Sequence, residues 1–294
     1  MICYQEGGMV LQDIKKIGER FWYMTPVSET DRPILGMVVG EAKTLMIDAG
    51  NSEDHALTFL SELSKRQVAK ADMVVLTHWH WDHIFGLSAL DGLLSISSDL
   101  TKSEMKKLIP LSWSDEALEE RVKAGTEIEF CATAIKKEYV GRRDIKIVLP
   151  AITFEKRVVI DLGGLTCVVQ HVGGDHAADS VVVYIVEEKI LFLGDCIYSD
   201  IFAKKKNLTV HGTLALLEKL EAFDADTYVL SHWRAISKEE YMQEVGLLRA
   251  IANYTVKNNG DKLRITEAYQ KQVKRDLNED ELEVIEDFVN GYQD

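Results

Sequence analysis

Short apolar runs alternate with amphipathic stretches along this chain, and the spacing of its hydrophobic positions predicts most of its elements. Phe21 to Met24, Ile34 to Val39 and Thr44 to Ile47 read as strands, with Gly40 and Glu41 as a tight connection. Across 53–66, Leu57, Leu60 and Leu63 recur at helical spacing. Met73 to Leu76 is continuously apolar, the pattern of a strand buried on both faces. From about 97 to 150 the pattern changes. Ser112 and Ser114 are candidate caps before Asp115 and Glu116, and Gly125 is a stop signal, so a helical insert is predicted here.

Strands return at Arg157 to Asp161 and Leu165 to Gln170, flanking the hairpin signal Gly163-Gly164, and at Val181 to Val186 and Ile190 to Leu193. Residues 212–222 and 237–256 predict helices, with Thr227 to Leu230 extended between them. A helical tail is predicted over about 262–294. In it Asn278 and Glu281 form a capping box, and Leu282, Ile285, Phe288 and Val289 share one apolar face. That face needs a partner: the main domain first, a second copy of the chain in a homodimer second. With no internal repeat or low-complexity stretch, 1–294 reads as a single α/β (α+β) domain carrying the insert and the tail.

Composition narrows the classes. No run approaches the roughly 18–20 apolar residues of a membrane span, so no membrane partner is expected. Met1 to Glu6 has neither a basic region nor a following apolar run, which sets the expectation of a cytoplasmic protein without an export signal. Cys3, Cys131, Cys167 and Cys196 are scattered, as buried free thiols would be. The net charge of −14 disfavours a nucleic-acid partner. It leaves a small anionic substrate open, because 101–150 holds ten Lys/Arg against nine Asp/Glu. The cluster Lys136, Lys137, Arg142, Arg143 and Lys146 makes the insert a candidate cover for the site.

The chemistry is concentrated in four segments that each follow an apolar run. The first is Thr77-His78-Trp79-His80-Trp81-Asp82-His83. Residues two apart on extended chain point the same way, roughly 6–7 Å apart, so His78 and His80 can converge on one ion. Asp82 and His83 fall where a helix could begin and turn toward a neighbouring position. The others are His171-Val172-Gly173-Gly174-Asp175-His176, Gly194-Asp195 and Ser231-His232. A lone histidine beside aromatics is usually packing. Repeated delivery of ionisable residues at the C-terminal ends of buried strands is the pattern of a site on an α/β sheet edge. Imidazole and carboxylate suit zinc well, and iron or manganese less specifically.

The order HxHxDH, Gly-x-His, Gly-Asp and Ser-His resembles the metallo-β-lactamase-fold hydrolase superfamily. The resemblance spans about residues 20 to 235 and implies a four-layer αββα sandwich with a two-metal site at one edge. Carried over position by position, it implies that His78, His80 and His176 bind one divalent ion and Asp82, His83 and His232 a second, with Asp195 bridging. Where the family often has Thr-Pro-Gly-His-Thr, this chain has Gly173-Gly174-Asp175-His176-Ala177, so the loop differs while the ligand position survives. Asp48 matches a family aspartate that orients a histidine or the loop. His171 is open between a packing role, which is favoured, and a supporting role behind the ligands or a substrate contact.

Two ions about 3.5–4 Å apart can share a hydroxide formed near neutral pH, which makes hydrolysis the expected reaction. Asp82 would double as a proton carrier. Tyr198, spaced from Asp195 as in acyl-homoserine lactonases of the superfamily, is a candidate donor to a developing oxyanion. Trp79, Trp81 and Trp113 line the pocket or fill the core. The expected substrate is a small acyl compound, a thioester, lactone or ester, as the resemblance to glyoxalase II also implies. A phosphodiesterase, a β-lactamase and a non-catalytic metal-binding regulator are the alternatives. The 18 residues between His176 and Asp195 leave no space for the RNA-gripping arm of the superfamily's tRNA-processing nucleases. Flavin-coupled diiron relatives carry glutamate where His80 stands.

Overall fold

Residues 12–141 and 143–293 are described by the computed structural model, so Cys3, Arg142 and the Met1 to Glu6 segment lie outside the described residues. The first sheet runs in chain order through β1 (Ile14–Ile17), β2 (Phe21–Met24), β3 (Leu35–Val39), β4 (Thr44–Ile47), β5 (Met73–Val75), β6 (Leu94–Ser98) and β7 (Ile152–Phe154). The second contains β8 (Arg157–Asp161), β9 (Thr166–His171), β10 (Val181–Ile185), β11 (Ile190–Gly194), β12 (Thr227–Leu230) and β13 (Ala235–Ser237).

Alternation along the strands sets the layers. In β4, Leu45 and Ile47 face the second sheet while Met46 faces helices. In β10 and β11, Val181, Val183, Ile185, Ile190 and Phe192 point into the same inter-sheet core, and Val182 and Leu191 point the other way. Each outer face is covered by helices. α1 (Glu53–Lys65), the short α2 (Trp81–Ile84) and the insert's α3 (Asp99–Leu108), α4 (Asp115–Ala124) and α5 (Glu129–Glu138) supply residues such as Phe59, Ile84, Met105, Leu118 and Ile135 to the first. α6 (Val210–Leu220), α7 (Lys238–Lys257), α8 (Lys262–Val273) and α9 (Glu279–Gln293) cover the second with Leu217, Ile251, Ile265 and Phe288. The architecture is an αββα sandwich.

The Asn278 capping box is present: Asn278 N donates to Glu281 Oε2 at 3.0 Å and Glu281 N to Asn278 Oδ1 at 2.8 Å. The apolar face of α9 needs correcting. Ile285 and Phe288 are buried against the sheet's helices, but Leu282 is exposed. The buried arc instead includes the carboxylates Glu281 and Asp287. Arg275 and Glu281 form a bidentate pair, and Asp287 bonds Ser199, so these polar groups tolerate burial that hydrophobic spacing cannot forecast.

Parallel pairing brings the chemistry to one edge. β4 and β5 run parallel with Ile47 opposite Val75, which sets Asp48 beside Leu76 and Thr77 just past both strand ends. β11 and β12 run parallel with Gly194 opposite Leu230, so Asp195 emerges beside Ser231 and His232. The two sheets are tied at this edge: Val181 N donates to Thr77 O at 2.8 Å and Ile34 N to Ser231 O at 2.7 Å. Gly86 follows α2, and a Cβ there would lie 2.0 Å from Ala49 O, so the HxHxDH turn packs directly on the Asp48 loop.

Candidate metal centre

Seven side chains converge at that edge in two groups, His78, His80 and His176 in one and Asp82, His83, Asp195 and His232 in the other. Both groups could hold metal ions. His78 and His80 lie on the extended segment after β5, and their rings meet edge-on with centroids 4.6 Å apart. His80 then precedes α2, whose first turn turns Asp82 and His83 into the adjacent group. Asp195 sits between the groups. Its Oδ2 is 3.8 Å from His78 Nε2, 3.5 Å from His176 Nε2, and 3.2 Å from both His83 Nε2 and His232 Nε2.

Hydrogen bonds behind the rings fix which nitrogen faces inward. Asp48 Oδ2 accepts from His83 Nδ1 at 2.8 Å and from Thr77 Oγ1 at 2.9 Å, while Thr77 N donates to Asp48 Oδ1 at 2.7 Å. Because the Thr77 hydroxyl donates to Asp48, it accepts from His78 Nδ1 at 3.1 Å. His176 Nδ1 donates to Ser199 O at 3.0 Å. The network places a proton on Nδ1 of these rings and turns each Nε2 toward the centre. Asp48 therefore orients a histidine, one of the two roles that the family resemblance implies.

The residues fit a cation. His78 Nε2, His176 Nε2 and Asp195 Oδ1 are buried without a hydrogen-bond partner among the described residues. Asp82 Oδ2 lies 3.0 Å from His83 Nε2 and from His232 Nε2, but its contacts lack hydrogen-bond direction. Leaving such atoms unsatisfied costs about 1–3 kcal/mol each, more if charged, and ligation by a divalent ion removes the penalty. Burial holds His78 and His80 well below the usual imidazole range and His176 below it, so they are neutral ligands. Burial opposes charge on Asp82 and Asp195 too, but the neighbouring His83 and His232 overcome it and keep both carboxylates ionised. The same carboxylates outweigh burial at His83 and His232 and raise both well above the ordinary value.

The centre borders a cavity of about 150 Å³. A water needs about 10–15 Å³ on this scale, so a small organic molecule has space. Phe130 and Cys131 of α5, Ile197, Phe202, Leu208, Trp233, Leu247 and Val284 make its walls largely apolar. Tyr198 lines it as well, its ring centroid 6.1 Å from that of His176 and 6.3 Å from that of His232. Its hydroxyl approaches the His232 backbone without completing a hydrogen bond and is buried unpartnered among the described residues.

Other expectations fare differently. The insert reaches the cavity through Phe130 and Cys131, and the tail supplies more of the lining, with Asp280, Glu283, Val284 and Asp287. Lys136, Lys137, Arg143 and Lys146, the described members of the basic cluster, do not line the cavity. Lys136 pairs with Glu119 at 2.9 Å, Arg143 with Asp115 at 2.7 Å, Lys137 with Glu29 at 3.7 Å, and Lys146 is exposed. His171 bonds Ala178 O at 2.8 Å and steadies the loop carrying His176. Trp81 lines the cavity, Trp79 rests on the edge of His80, and Trp113 packs on Phe85 in the core. Cys131, Cys167 and Cys196 are buried free thiols. Two residues escaped the sequence reading. Asp31 lines the cavity and lies 3.3 Å from His232 Nδ1, and Asp287 supports Ser199. Neither sits in a periodic or motif-like context.

Residues 32–232 match the family model of the metallo-beta-lactamase superfamily. The chain belongs to that superfamily. Members of the superfamily are generally hydrolases. A linear primary-alkylsulfatase from Pseudomonas sp. (strain ATCC 19151) is 23% identical over 238 residues, covering 71% of this chain and 43% of the relative. Among solved structures, a metallo-beta-lactamase from Pontibacter korlensis superposes with a TM-score of 0.57 at 21% identity, over 80% of this chain and 98% of its own. A stereoselective inverting sec-alkylsulfatase from Pseudomonas sp. gives 0.62 at 12% identity, over 87% of this chain and 45% of its own. This superfamily chain thus spans less than half the length of both alkylsulfatases. No helix of the described residues is long and apolar enough to cross a membrane.

Proposed function

We propose that this protein is a dinuclear metal-dependent hydrolase, with zinc as the first choice of ion, acting on a small ester-class substrate with an apolar body: a carboxylic ester, thioester or lactone. The observation that carries this reading is the position of Asp195 Oδ2, within 3.8 Å of four imidazole nitrogens drawn from both groups, beside an apolar cavity. His78, His80 and His176 would hold one ion and Asp82, His83 and His232 the other, with Asp195 shared. A divalent pair supplies Lewis acidity, polarising a substrate oxygen and acidifying water.

The chain's own residues supply the rest. Apolar walls from Phe130, Phe202, Trp233 and Val284 take the substrate body and exclude water. The Tyr198 hydroxyl, protonated because burial and then Asp195 raise it well above the ordinary value, donates to the oxygen that gains charge. Asp82, at the cavity wall, carries a proton to the leaving group. Lys206 is the one lysine or arginine lining the cavity among the described residues, and it is held by Glu283 and Asp287. A neutral substrate suits this lining better than an anionic one, and a nucleic acid suits it least.

A sulfate-ester substrate is the second reading, favoured by the likeness to alkylsulfatases and by walls that would accept an alkyl chain. Zinc-loaded wild type and His80→Ala should be assayed on aryl esters, thioesters, lactones, alkyl sulfates and phosphodiesters. Acyl turnover that disappears in His80→Ala supports the first reading. Faster turnover of alkyl sulfates or phosphodiesters than of every acyl compound overturns the substrate class. Equal activity of variant and wild type overturns the mechanism.

A further inference from the structure

Asp31 stands outside every motif of the sequence, yet its carboxylate is 13% exposed and reaches within 3.3 Å of His232 Nδ1, the nitrogen turned away from the centre. His232 Nε2 meanwhile points at Asp82 and Asp195. Of the histidines in the Asp82 group, His83 is oriented by Asp48, and Asp31 is the carboxylate that meets His232 from behind.

The backbone around Asp31 is tightly held. Asp31 adopts the left-handed conformation, φ 55° and ψ 37°, after the 3₁₀ turn Ser28–Thr30. Aspartate tolerates this region better than most residues, and it persists where surroundings over-determine it. Here Val27 and Arg32 bridge in both directions at 2.9 Å, Asn51 Nδ2 donates to Thr30 O at 2.7 Å, and Ile34 N donates to Ser231 O at 2.7 Å. That last bond joins the Asp31 segment directly to the residue before His232.

Arg32 anchors the loop to the insert. Its Nε and Nη2 reach both oxygens of Glu138 at the end of α5, at 3.0 and 2.7 Å, and that carboxylate is 3% exposed. Ser52, the cap of α1, donates to the same Glu138, and Arg32 also bonds Asp54 at 2.7 Å and Gln12 at 2.9 Å. The insert thereby reaches the metal centre through a relay: Glu138 holds Arg32, Arg32 holds the loop, and the loop presents Asp31 to His232.

We infer that Asp31 is a positioning residue for His232, and that the part-buried Arg32–Glu138 pair sets its place. The inference rests on the two-ion reading of the site. A carboxylate behind a ligating imidazole fixes the ring and raises its basicity, and its loss typically weakens metal binding about 10–100-fold. The effect should fall on one ion, because Asp31 approaches His232 of the second group and forms no hydrogen bond or ion pair with His78, His80 or His176.

The test is zinc titration of the chelator-stripped full chain by calorimetry, repeated with cobalt(II) and read by its visible spectrum. Asp31→Ala should weaken the second equivalent about 10–100-fold, leave the first within about twofold and alter the cobalt spectrum of the second only. Asp31→Asn, which keeps the shape, should recover part of the loss, and Glu138→Gln should reproduce a smaller loss. A second equivalent as tight in Asp31→Ala as in wild type overturns the inference. Equal weakening of both equivalents also overturns it, since it marks a general structural defect. If wild type saturates at one equivalent, the dinuclear reading fails. Asp31 then keeps its role if that equivalent weakens in Asp31→Ala with partial rescue in Asp31→Asn, and loses it otherwise.

Discussion

Ser199 donates its hydroxyl to Asp287 at 2.6 Å, and the carbonyl of the same Ser199 accepts from His176 Nδ1 at 3.0 Å. The C-terminal helix α9 is thereby joined to a ligand of the candidate metal centre, with Lys206 3.3 Å from the same Asp287 oxygen. A tail that looks separate in the sequence is part of the wall and support of the site.

The tail should therefore contribute to stability and to the site together. Phe288 is fully buried on the helical layer, and its truncation to alanine should cost about 3–5 kcal/mol. Urea unfolding of the metal-free chain measures it. A loss below about 1 kcal/mol would mean that α9 is not docked as described.

Metal uptake should depend on pH differently for the two groups. His78, His80 and His176 are lowered by burial and are already neutral, so an ion there displaces few protons near neutrality. Carboxylates raise His83 and His232 well above the ordinary value, so without a cation they stay protonated and an ion must displace those protons. Affinity for the ion in the second group should thus rise with pH, while that of the first changes little. Calorimetry in buffers of different ionisation enthalpy counts the released protons. Equal release by both equivalents would contradict the assignment.

Removing the shared carboxylate should affect both ions. Asp195→Ala is expected to lower affinity for each by more than the roughly 10–100-fold typical of residues one step behind the ligands. Elemental analysis after gel filtration should find well under the wild-type content. Retention of the full complement would show that Asp195 bridges nothing.

Two glycines provide a matched steric test. Gly86→Ala would drive a Cβ to 2.0 Å from Ala49 O and 2.6 Å from Ser52 O. The overpacking should cost about 1–3 kcal/mol and reduce activity by shifting the Asp48 loop. Gly246, in the exposed part of α7, has nothing within 4 Å of the added Cβ, so its change to alanine should stabilise by about 0.4–1 kcal/mol. Thermal melts of both variants decide the sign of each.

Much of the site was legible before folding because local pattern carries it. A buried strand is marked by its apolar run, and an ionisable residue just past Leu76, Leu193 or Leu230 must emerge at the strand's end. The ligand types and the two-residue spacing of His78 and His80 then limit the chemistry. The assignment of the seven residues to two groups came from the family resemblance, and tertiary geometry is what brings those groups together. Charge balance was not legible in the same way. Lys136 and Arg143 look free in the chain, but Glu119 and Asp115 on the neighbouring helix neutralise them.

What the sequence determined by itself was the strands with clear apolar runs, most of the helices and the donors they deliver, since each depends on neighbours a few residues away; the short strands β1, β6, β7 and β13 carry too little local pattern to be read. Tertiary structure alone decided which groups stand behind the donors. Asp31 meets His232 across most of the chain's length, and Asp287 meets Ser199 from 88 residues away. Such contacts leave no periodic trace, because they depend on how a left-handed loop and a terminal helix dock on two sheets. The same docking sent Trp81 to the cavity wall and Trp113 to the core and left Leu282 exposed, although apolar character fits each of these places and only the packing of surrounding elements separates them.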